Sequence, residues 1–476
     1  MNLFEKESLD KVKGIIKDSQ TRLEVNDLLM MILHGNMTRP LELKLKKDMP
    51  ETYKDAIDRL MPINFLKRIN DKITHIYQTG VKREVDPETD QTALDEYVKD
   101  TRLNDELNYN NELLNTFGYS LQSLAVDEDG KNYSVAVDNN KFIPVNFSRN
   151  RKNKMDMLIL VMDKINNSQI YWVWTDKQFA IIDQDGKIRW ELMQEQYEEP
   201  IDMSEESLEN PYGKIPYEYI TTSRTSIMPE VAYDILQISL CIPLLMTDIA
   251  YVSKFTAFSI LWTIDIDTDK LPHAPNATWN LKSGGGEDLG EAKPQIGTLK
   301  PDGDTDKMIS LTLFMLGAWL ESMGIPSGGI GKIDGGNLSS GISKIIDELD
   351  ISDLREKQTK IYQDFERRYF DKYFHYLNPV FITSPDYDDV KHSYSPNAEV
   401  ITTFPIQRPI INRMEVLNEI EKELNLGLIT KRQALVKLYP ELSEADIDAK
   451  LAEIEIPVVA ANANNDDEQE GEDDEA

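Results

Sequence analysis

The 476-residue sequence contains one cysteine and five histidines, and both scarcities limit its chemistry. Cys241 cannot form an intramolecular disulfide, and its apolar neighbours predict a buried thiol in a reducing compartment. The histidines are scattered, without the spacing that metal sites use. They are His34, His75, His273, His375 and His392. We therefore predict neither a metal site nor a cofactor.

Catalytic motifs are also missing. The sequence has no Gly-x-Ser-x-Gly elbow, and an isolated cysteine is not a candidate nucleophile without a partnering base. Acidic pairs such as Asp388 and Asp389 are typical of a solvated surface. We predict that the chain is not an enzyme. A magnesium-dependent nuclease site among its 84 acidic residues stays open as an alternative.

Positive charge is scarce, with 52 Lys and Arg against 84 Asp and Glu and a formal net charge of −32. A protein that grips duplex DNA usually has a basic excess, because neutralising phosphates supplies most of the non-specific affinity. If DNA is a partner, we expect it to slide past this chain. The longest uncharged apolar runs, residues 235–247 and 308–320, are shorter than the roughly 20 residues of a bilayer span. Residues 1–7 do not resemble a signal peptide. We expect a soluble, unsecreted protein with no membrane partner.

Residues 304–377 have the most unusual pattern in the chain. A helix is predicted from Asp304 to the stop at Gly324 and Pro326, and it is apolar on nearly every side. Such a helix must be covered all round, by its own domain or by neighbouring subunits. A second, amphipathic helix follows and runs to Leu377, and the sequence allows a break in it near residues 350–352.

The loop between these helices, residues 326–341, contains six glycines and a single cation, Lys332. It does not match a Walker loop, because Pro326 replaces the first glycine and Ile333 replaces the Ser or Thr. It does not match a dinucleotide-binding loop either, because Asp334 replaces the third glycine. Two interpretations of this loop remain, a mobile surface connection and a specialised functional loop.

The rest of the chain is predicted to be α+β. Residues 1–118 have helical periodicity, and residues 119–194 alternate like short antiparallel strands, the last at 187–193. A long helix is expected from Pro229 to about Ile260, kinked or broken at Pro243. The connection that follows contains predicted strands at 260–266 and 278–281, and is much longer than ordinary helix connections. After Leu377 we expect irregular segments, a strand at 399–404, helices with a capping box at 430–433, and a disordered acidic tail.

This order of features resembles the portal proteins of tailed double-stranded DNA bacteriophages. The resemblance rests on the helix, the glycine loop that ends in Ser340 and Gly341, and the long helix with aromatic and basic residues at 365–370. Residues 69–80 also resemble the helix that opens the portal wing. Many family members have alanine two residues after the Ser-Gly pair, whereas this chain has Ser343.

The resemblance implies a mainly helical α+β portal fold with an α/β wing, a helical stem, a small β-containing clip and a helical crown. The implied regions are a wing at 1–228, a first stem helix at 229–258, a clip at 259–303, a second stem helix at 304–324, a tunnel loop at 325–341, a long wing helix with its return segment at 342–407, a crown at 408–457 and an acidic tail at 458–476.

The resemblance also implies the functional residues. The tunnel loop would present Ser327, Gly328, Gly329, Gly331, Lys332, Gly335, Gly336 and Asn337 to a central channel. The clip would contact partners through His273, Trp279 and Lys282.

The implied function is a homo-oligomeric ring, a dodecamer in the family, at one capsid vertex. Double-stranded DNA would be packaged and ejected through it without sequence-specific binding. Implied partners are the terminase motor, a head–tail adaptor, and the major capsid and scaffolding proteins. The implied location is the virion, with assembly in the host cytoplasm. Alternatives are another structural virion component, such as a minor head or adaptor protein, and a metal-dependent nuclease.

Overall fold

The structure is a computed structural model, and a large part of the chain is described by it. The described residues are 2–51, 53–74, 76–78, 80–126, 130–148, 150–194, 208–257, 260–264, 295–299, 305–323, 325, 341–383, 392–405, 413–439, 447–448 and 450–451. The chain divides into two compact units. The first contains residues 1–337 and 350–406, and the second contains residues 338–349 and 407–476.

Helices dominate the first part of the chain, as predicted. They are α1 (Lys6–Leu33), α2 (Thr38–Asp48), α3 (Tyr53–Ile57), α4 (Phe65–Ile73), α5 (Gln91–Asp100) and α6 (Leu103–Phe117). Helix α4 begins at Asn64, whose side chain accepts a hydrogen bond from the Lys67 amide and so satisfies a free N–H of the first turn. Helix α6 ends at Gly118, which has the left-handed conformation that favours glycine (φ 75°).

A strand within this helical region was not predicted from the sequence. Strand β1 (Lys82–Asp86) pairs antiparallel with β13 (Glu399–Thr403), and the register places Arg83 opposite Thr402. Both strands alternate exposed and buried residues. The Gln91 side chain satisfies the outer edge of β1, accepting from the Val85 amide and donating to the Arg83 carbonyl. The strand at 399–404 was predicted correctly, but its partner lies more than 300 residues away.

The antiparallel region is confirmed, and it forms several small sheets. One has the order β10-β2-β5, a second pairs β3 with β4, and a four-stranded meander runs β6-β7-β8-β9. The strands are β2 (Tyr119–Ser123), β3 (Ala125–Val126), β4 (Asn132–Tyr133), β5 (Ala136–Val137), β6 (Phe142–Val145), β7 (Met157–Ile165), β8 (Ser168–Thr175), β9 (Phe179–Asp183) and β10 (Tyr217–Thr221). The strand predicted at 187–193 is wrong, because Trp190–Gln194 forms the short helix α7, in which Trp190 stacks on Phe4.

Three hydrophobic clusters fill the first unit. The largest joins α1, α4, α6, the meander and the start of α8 (Val231–Ala257), and includes Leu29, Phe117 and Ile235. A second, rich in aromatic rings, surrounds the long helix α10 (Gly341–Lys372). A third lies between α1 and the other face of the meander. Because the meander is buried on both faces, its strands read as nearly continuous apolar runs.

Two long helices flank the predicted clip. Helix α8 is continuous through Pro243, so the predicted break is absent from it. Strands β11 (Ile260–Ile264) and β12 (Gln295–Leu299) pair antiparallel, and α9 (Thr305–Ser322) follows. Helix α8 packs against α9. The strand predicted at 278–281 lies outside the described residues.

Helix α10 is also continuous, so the possible break near residues 350–352 is not found. It leads into a π-helical turn (Tyr373–Leu377) and then into α11 (Asn378–Thr383), where irregular chain was predicted. Pro379 fits here because the first turn of a helix does not need its missing N–H. Phe381 of α11 is buried, so packing on the aromatic cluster holds this extra helix in place.

The second unit contains α12 (Arg413–Asn425) and α13 (Lys431–Leu438). Gly427 follows α12 with a positive φ (70°), as the sequence suggested for a helix stop. The predicted capping box is confirmed, because Thr430 accepts from the Gln433 amide and the Gln433 side chain accepts from the Thr430 amide. The predicted acidic tail lies outside the described residues.

Candidate functional site

The residues predicted to be functional all lie outside the described residues. These are the tunnel-loop residues Ser327, Gly328, Gly329, Gly331, Lys332, Gly335, Gly336 and Asn337 and the clip residues His273, Trp279 and Lys282. Their roles stay predictions. The elements around them are described, and they define the candidate site as the junction of α8, α9 and α10.

Helices α8 and α9 form an arm whose far end is closed by the β11–β12 pair. The register pairs Ile260 with Leu299 and Ile264 with Gln295, so the chain leaves α8 and returns towards α9 along neighbouring strands. We call the sequence between these strands, residues 265–294, the excursion; the described residues that flank it, Ile264 and Gln295, are paired. At the other end of the arm, α9 stops at Ser322 and α10 starts at Gly341.

Helix α9 is apolar on nearly every side, yet the part of the chain that the structure describes covers only some of it. Thr312, Trp319 and Leu320 are buried. Leu311 is 50% exposed and Phe314 is 72% exposed. The sequence predicted that this helix would be covered all round, by its own domain or by neighbouring subunits, and the described residues leave part of it exposed. A large exposed apolar patch is typical of an interaction surface.

An open cavity of about 650 Å³ lies where the start of α8, the end of α9 and the middle of α10 meet α6. Its walls are mainly apolar, and Ile235, Trp319 and Ile361 contribute to them. Lys357 and Asp234 add charge to its lining. The volume is in the range of pockets that enclose drug-sized molecules, and few polar groups converge on it. Shape and lining suit an apolar or aromatic group.

A buried ion pair anchors α10 to the strand pair β1–β13. Arg83 donates from Nε and Nη2 to the two carboxylate oxygens of Glu366, each at 2.8 Å, and both side chains are almost fully buried. Tyr77 and Thr402 also donate to Glu366, at 2.8 and 2.7 Å, and Arg83 donates to Asn104. Burial alone would lower the pKa of Arg83, but the Glu366 carboxylate outweighs it and raises that pKa. The charges are therefore fully compensated.

Hydroxyl groups continue this network along α10. The hydroxyl groups of Tyr97 and Tyr369 are 2.6 Å apart, and Tyr369 donates to Ser134 at 2.7 Å. One turn further on, Tyr373 donates to Asn132 at 2.8 Å. Burial raises the pKa of the Tyr97 hydroxyl well above its ordinary value. The tyrosines thus stay neutral and act as hydrogen-bond donors.

The opposite end of the network contacts α6. Tyr362 donates to Asn110 at 3.0 Å, and Gln358 donates to Asn115 at 2.6 Å. Asn110 in turn donates to Gln122 on β2. Polar tips thus recur on one face at positions 358, 362, 366 and 369 of α10 and at 373 of the π-helical turn. The first two contact α6, Glu366 contacts β1, and the last two contact residues 132–134 at and after β4. This pattern sets the axial register of α10. The sequence showed the aromatic stripe but not these partners, which are distant in the chain.

Within the described ranges, no group of three or more His, Cys, Asp or Glu residues could hold a metal ion. The buried network consists of neutral hydroxyl and amide groups around the Arg83–Glu366 ion pair, and it positions α10 against its neighbours.

One described helix is long and apolar enough to cross a membrane. Residues Val231–Ser253 of α8 have a mean hydropathy of 1.8, and about a third of that window is buried. The uncharged run predicted from the sequence was shorter, because it is bounded by Asp234 and Asp248. A core helix of a soluble protein passes the same test, so one such helix is weak evidence for a membrane protein.

Comparison with known proteins gives little. No protein-family model matches the sequence, and no curated protein matches it. Among solved structures, the neck of an empty GTA particle computed with C6 symmetry is similar to this chain with a TM-score of 0.40 and 9% identity. The alignment covers 82% of this chain and 94% of that chain. At this TM-score the likeness carries no inference about fold or function.

Proposed function

We propose that this chain is a phage portal protein, a subunit of a ring-shaped channel through which double-stranded DNA enters and leaves a capsid. Support comes from the sequence resemblance and from the order of elements. A long helix, a strand pair around an excursion, a second long helix, a glycine-rich loop and a third long helix follow one another. The excursion is the proposed clip, and the loop is the proposed tunnel loop.

The observation that carries the proposal is the exposed apolar surface of α9. Leu311 and Phe314 are half or more exposed on a helix with few charges. Burying apolar surface stabilises association by roughly 25 cal/mol per Å² before the costs of ordering, so a second protein surface is the favourable cover. In a ring each subunit offers one side to the subunit before it and another to the subunit after it. The long helices α8 and α9, which pack side by side, supply both of these contact surfaces.

The charge distribution fits a channel for a polyanion. With a net charge of −32, the subunit as a whole repels DNA. Lys332, repeated on every subunit, would form one weak cationic collar around the passing duplex. The terminase motor, a head–tail adaptor and the capsid and scaffolding proteins would be separate partners, and the portal itself would catalyse no reaction.

The test is the quaternary structure of the full-length protein. Negative-stain electron microscopy and mass photometry at micromolar concentration should show closed rings with a central hole. A monodisperse monomer at all concentrations would refute the proposal. A compact assembly without a hole would favour a minor head or adaptor protein. Cleavage of plasmid DNA with magnesium or manganese would instead favour the nuclease alternative.

A further inference from the structure

An exposed aromatic side chain and an apolar cavity lie on the same helix. Phe314 of α9 is 72% exposed, and it is not among the residues that line the 650 Å³ cavity. Trp319, five residues later, forms part of the cavity wall and is 4% exposed. Five residues of α-helix correspond to about 140° of rotation and roughly 7.5 Å of rise. The aromatic side chain and the cavity therefore point to well-separated sides of α9.

We infer that Phe314 of one copy inserts into the α6–α8–α9–α10 cavity of the next copy. This inference rests on the proposed ring and identifies its contact. A head-to-tail interface needs two different, complementary surfaces on one chain, and such contacts close into a ring when the rotation between neighbours allows it. Phe314 supplies a projecting surface and the cavity supplies a receiving one, on separate sides of one helix.

The chemistry of the cavity favours an aromatic occupant. Ile235, Ile238, Met323 and Ile361 contribute aliphatic and thioether groups to its wall, and Trp319 contributes an aromatic ring. The polar lining residues are Asn115, Thr222, Asp234, Ser322, Lys357 and Gln358. A buried phenylalanine removes about 150–250 Å² from water, which is more than any other single exposed side chain of α9 offers. Leu311, one turn before Phe314 and 50% exposed, would widen the contact at the cavity mouth.

Other occupants are conceivable, and the test separates them. A small apolar ligand or a different protein would leave Phe314 without a role in self-association. A symmetric contact between two α9 helices would place Phe314 against Phe314, and would produce dimers instead of a closed ring. A contact within one chain would place the cavity next to the Phe314 of the same molecule.

The first experiment compares two phenylalanine substitutions of the full-length chain. Phe314→Asp should raise the protein concentration for half-assembly at least tenfold, measured by mass photometry. Phe147→Asp is the matched control, because Phe147 is 50% exposed and lies outside the α8–α9 arm. It should leave assembly unchanged. Since Phe314 is exposed within one chain, neither variant should alter the circular dichroism spectrum. Equal assembly of Phe314→Asp and the unsubstituted protein would overturn the inference.

The second experiment identifies the contact directly by cross-linking. In a Cys241→Ser background, Phe314→Cys is combined with Lys357→Cys at the cavity, and a short bis-maleimide is added. Neighbouring copies should link into a ladder up to the full ring on a denaturing gel. A dimer from Phe314→Cys alone would indicate the symmetric contact, and an internally linked monomer would indicate the contact within one chain. Either result, or intact rings without a ladder, overturns the inference and leaves the ring proposal standing. Absence of rings in the unsubstituted protein would refute the ring itself.

Discussion

Arg83 and Glu366 form a two-pronged ion pair across 283 positions of sequence, with both N–O distances at 2.8 Å and with the carboxylate fully buried. The pair connects β1 to the C-terminal part of α10. Two hydroxyl groups and an amide complete its hydrogen bonds, so neither charge is left without compensation.

Loss of one partner of this pair should be severe. Glu366→Gln leaves the Arg83 charge buried and unpaired, and we expect a loss of about 3–5 kcal/mol in the free energy of unfolding. The double variant Arg83→Met with Glu366→Gln removes both charges, and should lose less than the sum of the two single changes. Urea unfolding followed by fluorescence measures the stability of Glu366→Gln, of Arg83→Met and of the double variant. Glu356→Gln, in the exposed pair with Lys360, is the control and should have no measurable effect. Additive losses would show that the pair is not coupled.

The tyrosine network should depend on single hydroxyl groups. Tyr369→Phe removes a donor to Ser134 and an acceptor for Tyr97, which leaves buried polar groups unsatisfied. We expect a loss of about 1–3 kcal/mol, measured as the shift of the urea midpoint multiplied by the slope. Tyr233→Phe is the control, because Tyr233 is 55% exposed. If the two variants behave alike, the network does not stabilise the fold.

Gly118 should not tolerate a side chain. Its φ is +75°, and a Cβ there would lie 2.8 Å from Cγ of Pro229 at the start of α8. Gly118→Ala should therefore destabilise the protein by about 1–3 kcal/mol. Gly14→Ala is the opposite case, because Gly14 lies inside α1 with nothing within 4 Å of a new Cβ. That change should stabilise α1 by about 0.5–1 kcal/mol. Thermal unfolding of both variants checks that Gly118→Ala lowers the stability and that Gly14→Ala raises it.

Asp90 should make stability depend on acid pH. Burial alone would raise the pKa of its carboxyl group, but hydrogen bonds from Ser395 and His392 outweigh burial and lower it. A carboxyl group whose pKa is lowered in the folded protein contributes its full stabilisation to the free energy of unfolding above its unfolded pKa of about 3.9. That stabilisation is lost as the pH falls through the pKa that the group has in the folded protein. Asp90→Asn should therefore be less stable than the unsubstituted protein at pH 6, and the difference should shrink below about pH 4. A difference that stays constant from pH 7 to pH 3 would contradict this assignment.

The proposed tunnel loop gives a functional prediction. Deleting residues 330–336 removes Lys332 and part of the glycine run, but leaves α9 and α10 complete. We expect ring assembly to be unchanged and the amount of packaged or retained DNA to fall. A packaging assay with purified heads measures this, and Lys332→Ala separates the charge from the loop length. Normal DNA-filled heads from the deletion would rule out a role for the loop.

Local patterns in the sequence were enough for most helices, most strands and the capping box at Thr430. Periodicity, glycine stops and capping residues act over a few positions, so they are readable without the fold. The same patterns predicted α9 as an apolar helix between the excursion and the glycine loop. They failed where a local signal was overruled, as at Trp190, which packs on Phe4 within a short helix instead of continuing the meander.

Only the tertiary structure decided which of these segments meet. The pairing of β1 with β13, the ion pair of Arg83 with Glu366 and the cavity beside Trp319 join residues that are far apart in sequence. The exposure of Phe314 is likewise a property of what packs around α9 and is invisible in its own sequence. Burial and pairing are set by the sum of long-range contacts, and a short window of sequence contains only one side of each contact.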